Sequence, residues 1–286
     1  MRYEAPDTIE AAAKLLAAES GDARVLAGGT DLLVQMRSEV LTPALVVDIK
    51  KIAEMRQVKE EAGGVRVGAA VTGAELKEHP RLSKVWPGVV EAANLIGSTQ
   101  IQGRATMGGN LCNGSPAADS VPALIAVGAV AAIVGPNGRR ELKVEDIMLA
   151  PRKLALTKGE IVASFLLPAR PPKSSDAYLR FIPRTEMDIA VVGCGVSLSL
   201  DGSGTCTAAR VGLGAVAARP LLVDAAAKAL IGTKVDEAAL AKLEAAARAA
   251  CKPIDDKRGT IEFRIDVAGV LARRTALIAL ERARKA

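Results

Sequence analysis

Three observations predict an α+β fold built from three consecutive units. Over residues 1–56, short apolar runs alternate with helical patterns in a βαβ-like order. Over 57–170, strand patterns pair around tight turns, and short helices lie between them. After a stretch rich in proline and serine, residues 171–286 read as three strands followed by three helices.

Each element has a local cause. Thr8 opens a helix in which IEAAAKLLAAE places Ile9, Ala12, Ala13 and Leu16 on one face, and Gly21 stops it. ARVLAG then reads as a short strand, DLLVQMR as a short helix carrying Leu32, Leu33 and Met36, and ALVVDI (44–49) as a buried strand. Gly63-Gly64 marks a turn between strands, the second being GVRVGAAVT. A helix from Gly73 ends at Glu78, because Pro80 disfavours a helical His79. WPGVVEAANLI forms the next helix, with Pro87 in its first turn. A further helix is expected from Pro116. The apolar run at 121–135 is too short to span a bilayer and reads as a helix followed by a buried strand. AVAAIVG, the Pro136-Asn137-Gly138 turn and RRELKV make a hairpin, and GEIVASFLLP (159–168) is a final strand. ARPPKSSD (169–176) is the linker. Beyond it, AYLRFI, DIAVVGCGVSLSL and AARVGLGAVA are antiparallel strands, the last two joined by the DGSG turn. LVDAAAKALIG, DEAALAKLEAAARAACK and DVAGVLARRTALIALERARK are the three helices.

Composition narrows the function. Half of the chain is hydrophobic but only 2 % is aromatic, so Ala and Val must fill the interior. The net charge of +6 is spread among acids, with Arg139-Arg140 and Arg273-Arg274 the only adjacent arginine pairs. With three Phe, two Tyr and one Trp there is no stacking platform, which argues against a nucleic-acid partner. Cys112, Cys194, Cys206 and Cys251 show neither CxxC pairing nor metal spacing and read as buried reduced thiols. With no apolar signal core at the start, the expected location is cytoplasmic. His79 alone cannot supply a nucleophilic triad or a metal site, so neither catalytic nor metal residues are assigned.

Four glycine-bearing stretches invite a nucleotide reading. GSTQIQGRAT resembles a phosphate loop, but its glycines lie one residue too far apart and Arg104 stands where the Lys-Ser/Thr step belongs. GLGAVA fits GxGxxA, yet Pro220 interrupts the helix that should follow. Both read as chance matches. VLAGGTDLL and RATMGGNLCNGSPAADS carry more. Gly28-Gly29 runs into Thr30-Asp31, read as a helix cap, and Gly108-Gly109 runs into Asn110, with Ser115-Pro116 opening another helix. Each glycine pair alone is equally a plain turn. Together, residues without Cβ and free N–H groups at turns could clamp the two phosphates of one dinucleotide. Thr30, Asn110 and Ser115 add polar side chains. Asp119, one turn inside the helix expected from Pro116, suits a sugar or ribityl hydroxyl rather than a phosphate, or simply favours a helix start.

AGGTDLLVQMR and ATMGGNLCNGSPAADSVPAL resemble the two flavin-binding signatures of the FAD subunit of molybdenum hydroxylases, the xanthine dehydrogenase and carbon monoxide dehydrogenase family. YEAPDTIEAAAKLL, RFIPRTEMDIAVVG, ARVGLGAVAARPLLV and IDDKRGTIEFRIDVAGVLARR are similar to family segments as well, so the resemblance runs over nearly the whole chain. It implies a two-part FAD-binding α/β domain of the vanillyl-alcohol-oxidase/PCMH type (1–56 and 57–170) followed by a sheet-plus-helices domain (171–286). It also implies that Ala27, Gly28, Gly29, Thr30 and Asp31, with Thr106, Gly108, Gly109 and Asn110, hold the FAD pyrophosphate through backbone groups. Ser115 and Asp119 would contact the cofactor further along. Ile96 and Gly97 would lie beside the isoalloxazine ring, Arg180 would face it, and Ile161 and Val162 would back it.

The same resemblance implies an electron-transfer subunit of a flavoprotein oxidoreductase. Molybdopterin would sit on a large partner and [2Fe–2S] clusters on a small one, in a dimer of heterotrimers, and FAD on this chain would deliver electrons to an external acceptor. Relatives that reduce 4-hydroxybenzoyl-CoA carry an extra cysteine loop for a further cluster, and this sequence has no such cysteine group. The rival readings are a stand-alone flavin reductase and a cofactor-free scaffold subunit.

Overall fold

The computed structural model describes all 286 residues. The chain opens with β1 (Arg2–Glu4), α1 (Ile9–Ala18), β2 (Ala23–Leu26), α2 (Leu32–Arg37) and β3 (Leu45–Asp48). The three strands form a parallel sheet in the order β1-β3-β2. Thr8 caps α1 by accepting from the Ala11 amide at 3.2 Å, and Ile9, Ala12, Ala13 and Leu16 are its buried face, as their spacing predicts. Sequence reading does not find β1, because three residues reading Arg-Tyr-Glu carry no apolar pattern. α2 buries none of its residues, and Leu33 is 52 % exposed. The expected cap at its start is also absent: Asp31 occupies the N-cap position but its side chain bonds no helix amide.

The second unit contains β4 (Val58–Glu61), β5 (Gly64–Gly68), α3 (Gly73–Glu78), α4 (Leu82–Val85), α5 (Pro87–Asn94), α6 (Thr99–Gln102), α7 (Met107–Cys112) and α8 (Ser120–Ala126). It continues through β6 (Val130–Gly135), β7 (Gly138–Lys143), β8 (Met148–Ala150), β9 (Lys153–Leu154) and β10 (Ile161–Pro168). Five strands make an antiparallel sheet in the order β4-β5-β10-β6-β7. Thr72 and Glu75 form a reciprocal capping box on α3. One hydrophobic core joins this sheet to the first, running from Ile9 and Leu45 to Trp86 and Phe165. Two expectations need correction. Gly108-Gly109 lies in the first helical turn of α7 rather than in a plain turn, and neither residue has a positive φ. The helix expected from Pro116 starts at Ser120, so Asp119 is its N-cap residue rather than a residue one turn inside.

The third unit begins three residues before the end of the expected linker, since Ser174, Ser175 and Asp176 already belong to β11 (Ser174–Phe181). β12 (Val192–Leu200), β13 (Cys206–Gly214) and a two-residue edge strand, β14 (Leu221–Leu222), complete an antiparallel sheet in chain order. Three helices follow: α9 (Asp224–Leu230), α10 (Glu237–Ala250) and α11 (Ile261–Lys285). α11 buries Ala268, Ala272, Ala276, Ala279 and Ala283, a seam of small residues at helical spacing in the core shared with β12. The other face of this sheet receives α8. Gly195, Gly212 and Gly214 form a bare groove there: a Cβ at Gly195 would lie 2.7 Å from the Pro122 carbonyl oxygen, and one at Gly214 would lie 2.6 Å from Pro122 Cγ. The sheet is therefore gripped between α11 and the helix that follows the second glycine signature.

Candidate functional site

A cleft of about 400 Å³ opens where the first two units meet. One wall is the segment Ala27–Asp31 that leaves β2, and another is the Thr106–Asn110 segment that starts α7. Ile96, Ile161 and Val162 supply an apolar side. The β8–β9 hairpin contributes Arg152 and Leu154. The two glycine signatures, distant in sequence, thus face one space.

The glycines serve this in different ways. Gly29 has φ +79°, the left-handed region that glycine enters without penalty. At Gly28 a Cβ would collide with the Arg104 carbonyl, and at Gly108 it would lie 2.5 Å from the Ala69 carbonyl oxygen. These two permit close backbone packing, which draws the signatures together. Gly109 is the one that presents bare backbone to the cleft: its Cβ would meet only Thr106 Oγ1 at 3.1 Å and Ala27 Cβ at 3.9 Å.

Backbone donors converge on the same space. The amides of Gly28, Gly29, Thr30 and Asp31 donate to no protein acceptor, and neither does that of Gly108. Such amides, at the start of α7 and on the half-exposed segment entering α2, have no partner within their helices and are free to bind an anion. Thr106 Oγ1 accepts from the Gly109 amide at 2.9 Å, which fixes the α7 end of the cradle. The Asp31 carboxyl has no protein partner either, and burial pushes it above the usual carboxylate range. A cradle of unpaired N–H groups around bare backbone fits a diphosphate-bearing dinucleotide such as FAD.

Other predicted residues sit elsewhere. Asn110 lines the cleft, but its Oδ1 also accepts from the Ser120 amide at 3.0 Å and from Ser120 Oγ at 2.7 Å, tying α7 to α8. Ser115 caps its own turn, accepting from the Ala117 amide at 3.2 Å, and does not line the cleft. Gly97 has φ +71° next to Ile96 and also lies outside the lining. Asp119 and Arg180 pair with each other, Oδ2 to Nη1 at 2.9 Å, away from the cleft walls. Tyr178 Oη donates to Asp119 Oδ1 at 3.3 Å. Burial drives the Asp119 carboxyl up to about 6, against the opposing pull of the Arg180 guanidinium.

The chance matches have structural roles instead. Gly212 and Gly214 of GLGAVA seat Pro122, and GSTQIQGRAT folds as the short α6. His79 Nδ1 accepts from the Arg81 and Leu82 amides at 3.3 Å each and fastens a loop. Sequence reading misses Arg24, Gln35, Cys112, Asn113 and Arg152, all of which line the cleft. Gln35, Cys112 and Asn113 lie inside the signatures and Arg24 beside the first, which is their only signal, and Arg152 lacks even that.

Residues 1–170 match the family described as the FAD binding domain in molybdopterin dehydrogenase, and residues 177–279 match the CO dehydrogenase flavoprotein C-terminal domain. The chain belongs to the FAD-binding molybdopterin dehydrogenase family. It is similar to the carbon monoxide dehydrogenase medium chain of Afipia carboxidovorans, 35 % identical over 282 residues covering 99 % of this chain and 96 % of the relative. The xanthine dehydrogenase FAD-binding subunit of Escherichia coli O157:H7 is 33 % identical over 77 % of this chain and 75 % of that subunit. In three dimensions the chain superposes on a chain of reconstituted CO dehydrogenase from Oligotropha carboxidovorans with TM-score 0.94 and 34 % identity, covering 99 % and 98 % of the two chains. In this FAD-binding family member, both signatures frame one cleft, and the C-terminal sheet is locked against the helix that follows the second signature.

Proposed function

We propose that this chain is the FAD-carrying electron-transfer subunit of a molybdenum hydroxylase, working with a large molybdopterin-binding subunit and a small [2Fe–2S] subunit in a dimer of heterotrimers. The observation that carries this reading is the set of unpartnered amides at Gly28–Asp31 and Gly108, on two segments that line one cleft. In it, the segments Ala27–Asp31 and Thr106–Asn110 bind the pyrophosphate, and Ile96, Gly97, Ile161 and Val162 flank the ring end. Ser115, Asp119 and Arg180 act beyond the cleft, where the Asp119–Arg180 pair fixes the C-terminal unit beside the cofactor site. Bound FAD supplies a carrier that accepts single electrons and releases one or two. The chain's own residues hold and orient it. Three of the four thiols lie in the C-terminal hydrophobic core and the fourth faces the FAD cleft, so clusters belong to partners. The units divide at 1–56, 57–170 and 171–286, and the complex works in the cytoplasm.

Purification with and without co-expressed partners tests the reading. Acid precipitation of the chain should release FAD. In the assembly, the flavin should bleach anaerobically on addition of an oxidisable substrate, while flavin on the isolated chain stays oxidised. A chain that takes up no FAD would be a scaffold, and one that turned over substrate alone would be a free-standing flavin enzyme; either result overturns the proposal.

A further inference from the structure

Two cations line the cleft. Arg24 is paired to Asp22, Nε to Oδ2 at 2.9 Å. The Arg152 guanidinium has no carboxylate or carbonyl partner in the chain. Its backbone is unusual too, with φ +59°, a left-handed conformation that side-chain-bearing residues adopt reluctantly. The Arg152 amide donates to the Gly114 carbonyl at 2.8 Å, and Gly114 itself has φ +65°. A Cβ at Gly114 would lie 2.8 Å from Arg152 Cα, so this glycine lets the hairpin tip dock on the turn that follows α7. Strain held in place by tertiary contacts is concentrated at ligand-holding positions.

The charges of the cleft call for such a cation. Glu160 is neutralised by Arg140, at 2.6 Å to Nε and 2.7 Å to Nη2, but the Asp31 carboxyl is unpaired. A diphosphate brought beside Asp31 meets amide dipoles alone unless a full positive charge is present. We infer that Arg152, held in a strained backbone by Gly114, is the counter-cation that secures the cofactor's diphosphate in this cleft. The inference rests on the FAD reading above. A guanidinium fork matches phosphate oxygens in charge and in shape.

The test is FAD titration of apo-protein at low and high salt, using wild type, Arg152→Gly and Arg152→Gln, with thermal melts of each. Glycine relieves the left-handed strain, so Arg152→Gly should melt no lower than wild type. It should nevertheless bind FAD at least about tenfold more weakly at low salt, the factor expected for one lost charge-assisted hydrogen bond. The gap should narrow at high salt, where a solvent-facing charge is screened. Arg152→Gln keeps the strain and drops the charge, and must show the same loss. Unchanged FAD affinity in both variants, or a loss independent of salt, overturns the role of Arg152 while leaving the FAD reading intact. A wild type that binds no FAD overturns both.

Discussion

Asp119 and Arg180 form a buried ion pair across the boundary between the FAD-binding unit and the C-terminal sheet, Oδ2 to Nη1 at 2.9 Å, with the two side chains 10 % and 4 % exposed. It is one of three contacts made by a single strand face. Asp176, Tyr178 and Arg180 alternate along β11, so all three point the same way. Asp176 Oδ2 accepts from the Val89 amide of α5 at 3.0 Å, while Tyr178 and Arg180 both reach Asp119. Arg282 of α11 adds a pair with Glu91. The last unit is thus bonded to α5, through Val89 and Glu91, and to Asp119 at the start of α8.

The Asp119 carboxyl gives this boundary a pH signature. Its folded pKa of about 6 lies above its ordinary 3.8, because burial outweighs the attraction of Arg180. Between those values the folded protein keeps a proton that the unfolded chain has lost. This group's contribution therefore favours the fold below about pH 4, is lost as pH rises to about 6, and then stays level, an amplitude of about 3 kcal/mol at most. Asp119→Asn has no such proton. Urea unfolding at several pH values should show the stability of wild type relative to Asp119→Asn falling as pH rises through this window; a difference that grows instead would reverse the assignment.

Removing one partner of the pair should cost more than removing both. Arg180→Met leaves a buried carboxylate unpaired, a loss of about 3–5 kcal/mol at neutral pH, whereas Asp119→Leu/Arg180→Met should lose far less than the sum of the single changes. A double-mutant cycle by chemical denaturation measures the coupling.

The Pro122 groove makes a steric prediction. A Cβ at Gly212 would run into the Pro122 carbonyl, and backbone on both sides leaves little room to yield. Gly212→Ala should destabilise the protein by about 1–3 kcal/mol, in the range of overpacked cores. Gly202→Ala in the DGSG turn meets nothing within 4 Å and should change the melting temperature little. Calorimetry on the two variants separates a packing groove from a generic glycine effect.

How far the sequence reveals this architecture depends on what each residue answers to. The α1 face is legible because burial on one side imposes a helical period, and the strands β3, β10 and β12 because burial on both sides makes them continuous apolar runs. β1 is not, since its pairing with β3 rests on backbone bonds that Arg-Tyr-Glu does not advertise. The cleft residues at 27–31 and 106–110 are legible through their glycines, but the reason for those glycines is not. Gly28 and Gly108 answer to neighbouring backbone, Arg104 and Ala69, brought there by folding. Likewise GLGAVA looks like a nucleotide loop in sequence and proves to be a seat for Pro122. The pairing of Asp119 with Arg180 spans 61 residues, and no local pattern could announce it.

The division of labour among the glycines can be tested directly. Gly109→Val should keep most of the fold, since its Cβ would face the cleft and touch only Thr106 Oγ1 and Ala27 Cβ. It should lose FAD affinity by more than about tenfold, because the branched side chain occupies the phosphate approach. Gly28→Ala should lower both stability and FAD binding, as its Cβ collides with the Arg104 backbone. Fluorescence titration beside thermal melts reads the two effects separately, and equal behaviour of the two variants would contradict this division.

Cys112 offers a chemical readout of cleft occupancy. Against the expectation of four buried thiols, Cys112 is exposed and lines the cleft, whereas Cys194, Cys206 and Cys251 are buried. The protein packed around its sulfur pushes the thiol up to about 12. Thiolate is the reactive form, so labelling at neutral pH should be slow and should quicken about tenfold per pH unit. Cys194 and Cys251 are likewise pushed up, to about 12 and about 11, and lack access as well. In the native apo-protein, a thiol reagent should therefore modify Cys112 alone, and all four should react in denaturant. Saturating FAD should protect Cys112, because it stands in the wall where the dinucleotide would lie. Mass spectrometry of peptides after timed labelling, with and without FAD, reads site and rate together. Labelling of Cys112 at the same rate in both samples would place FAD outside this cleft.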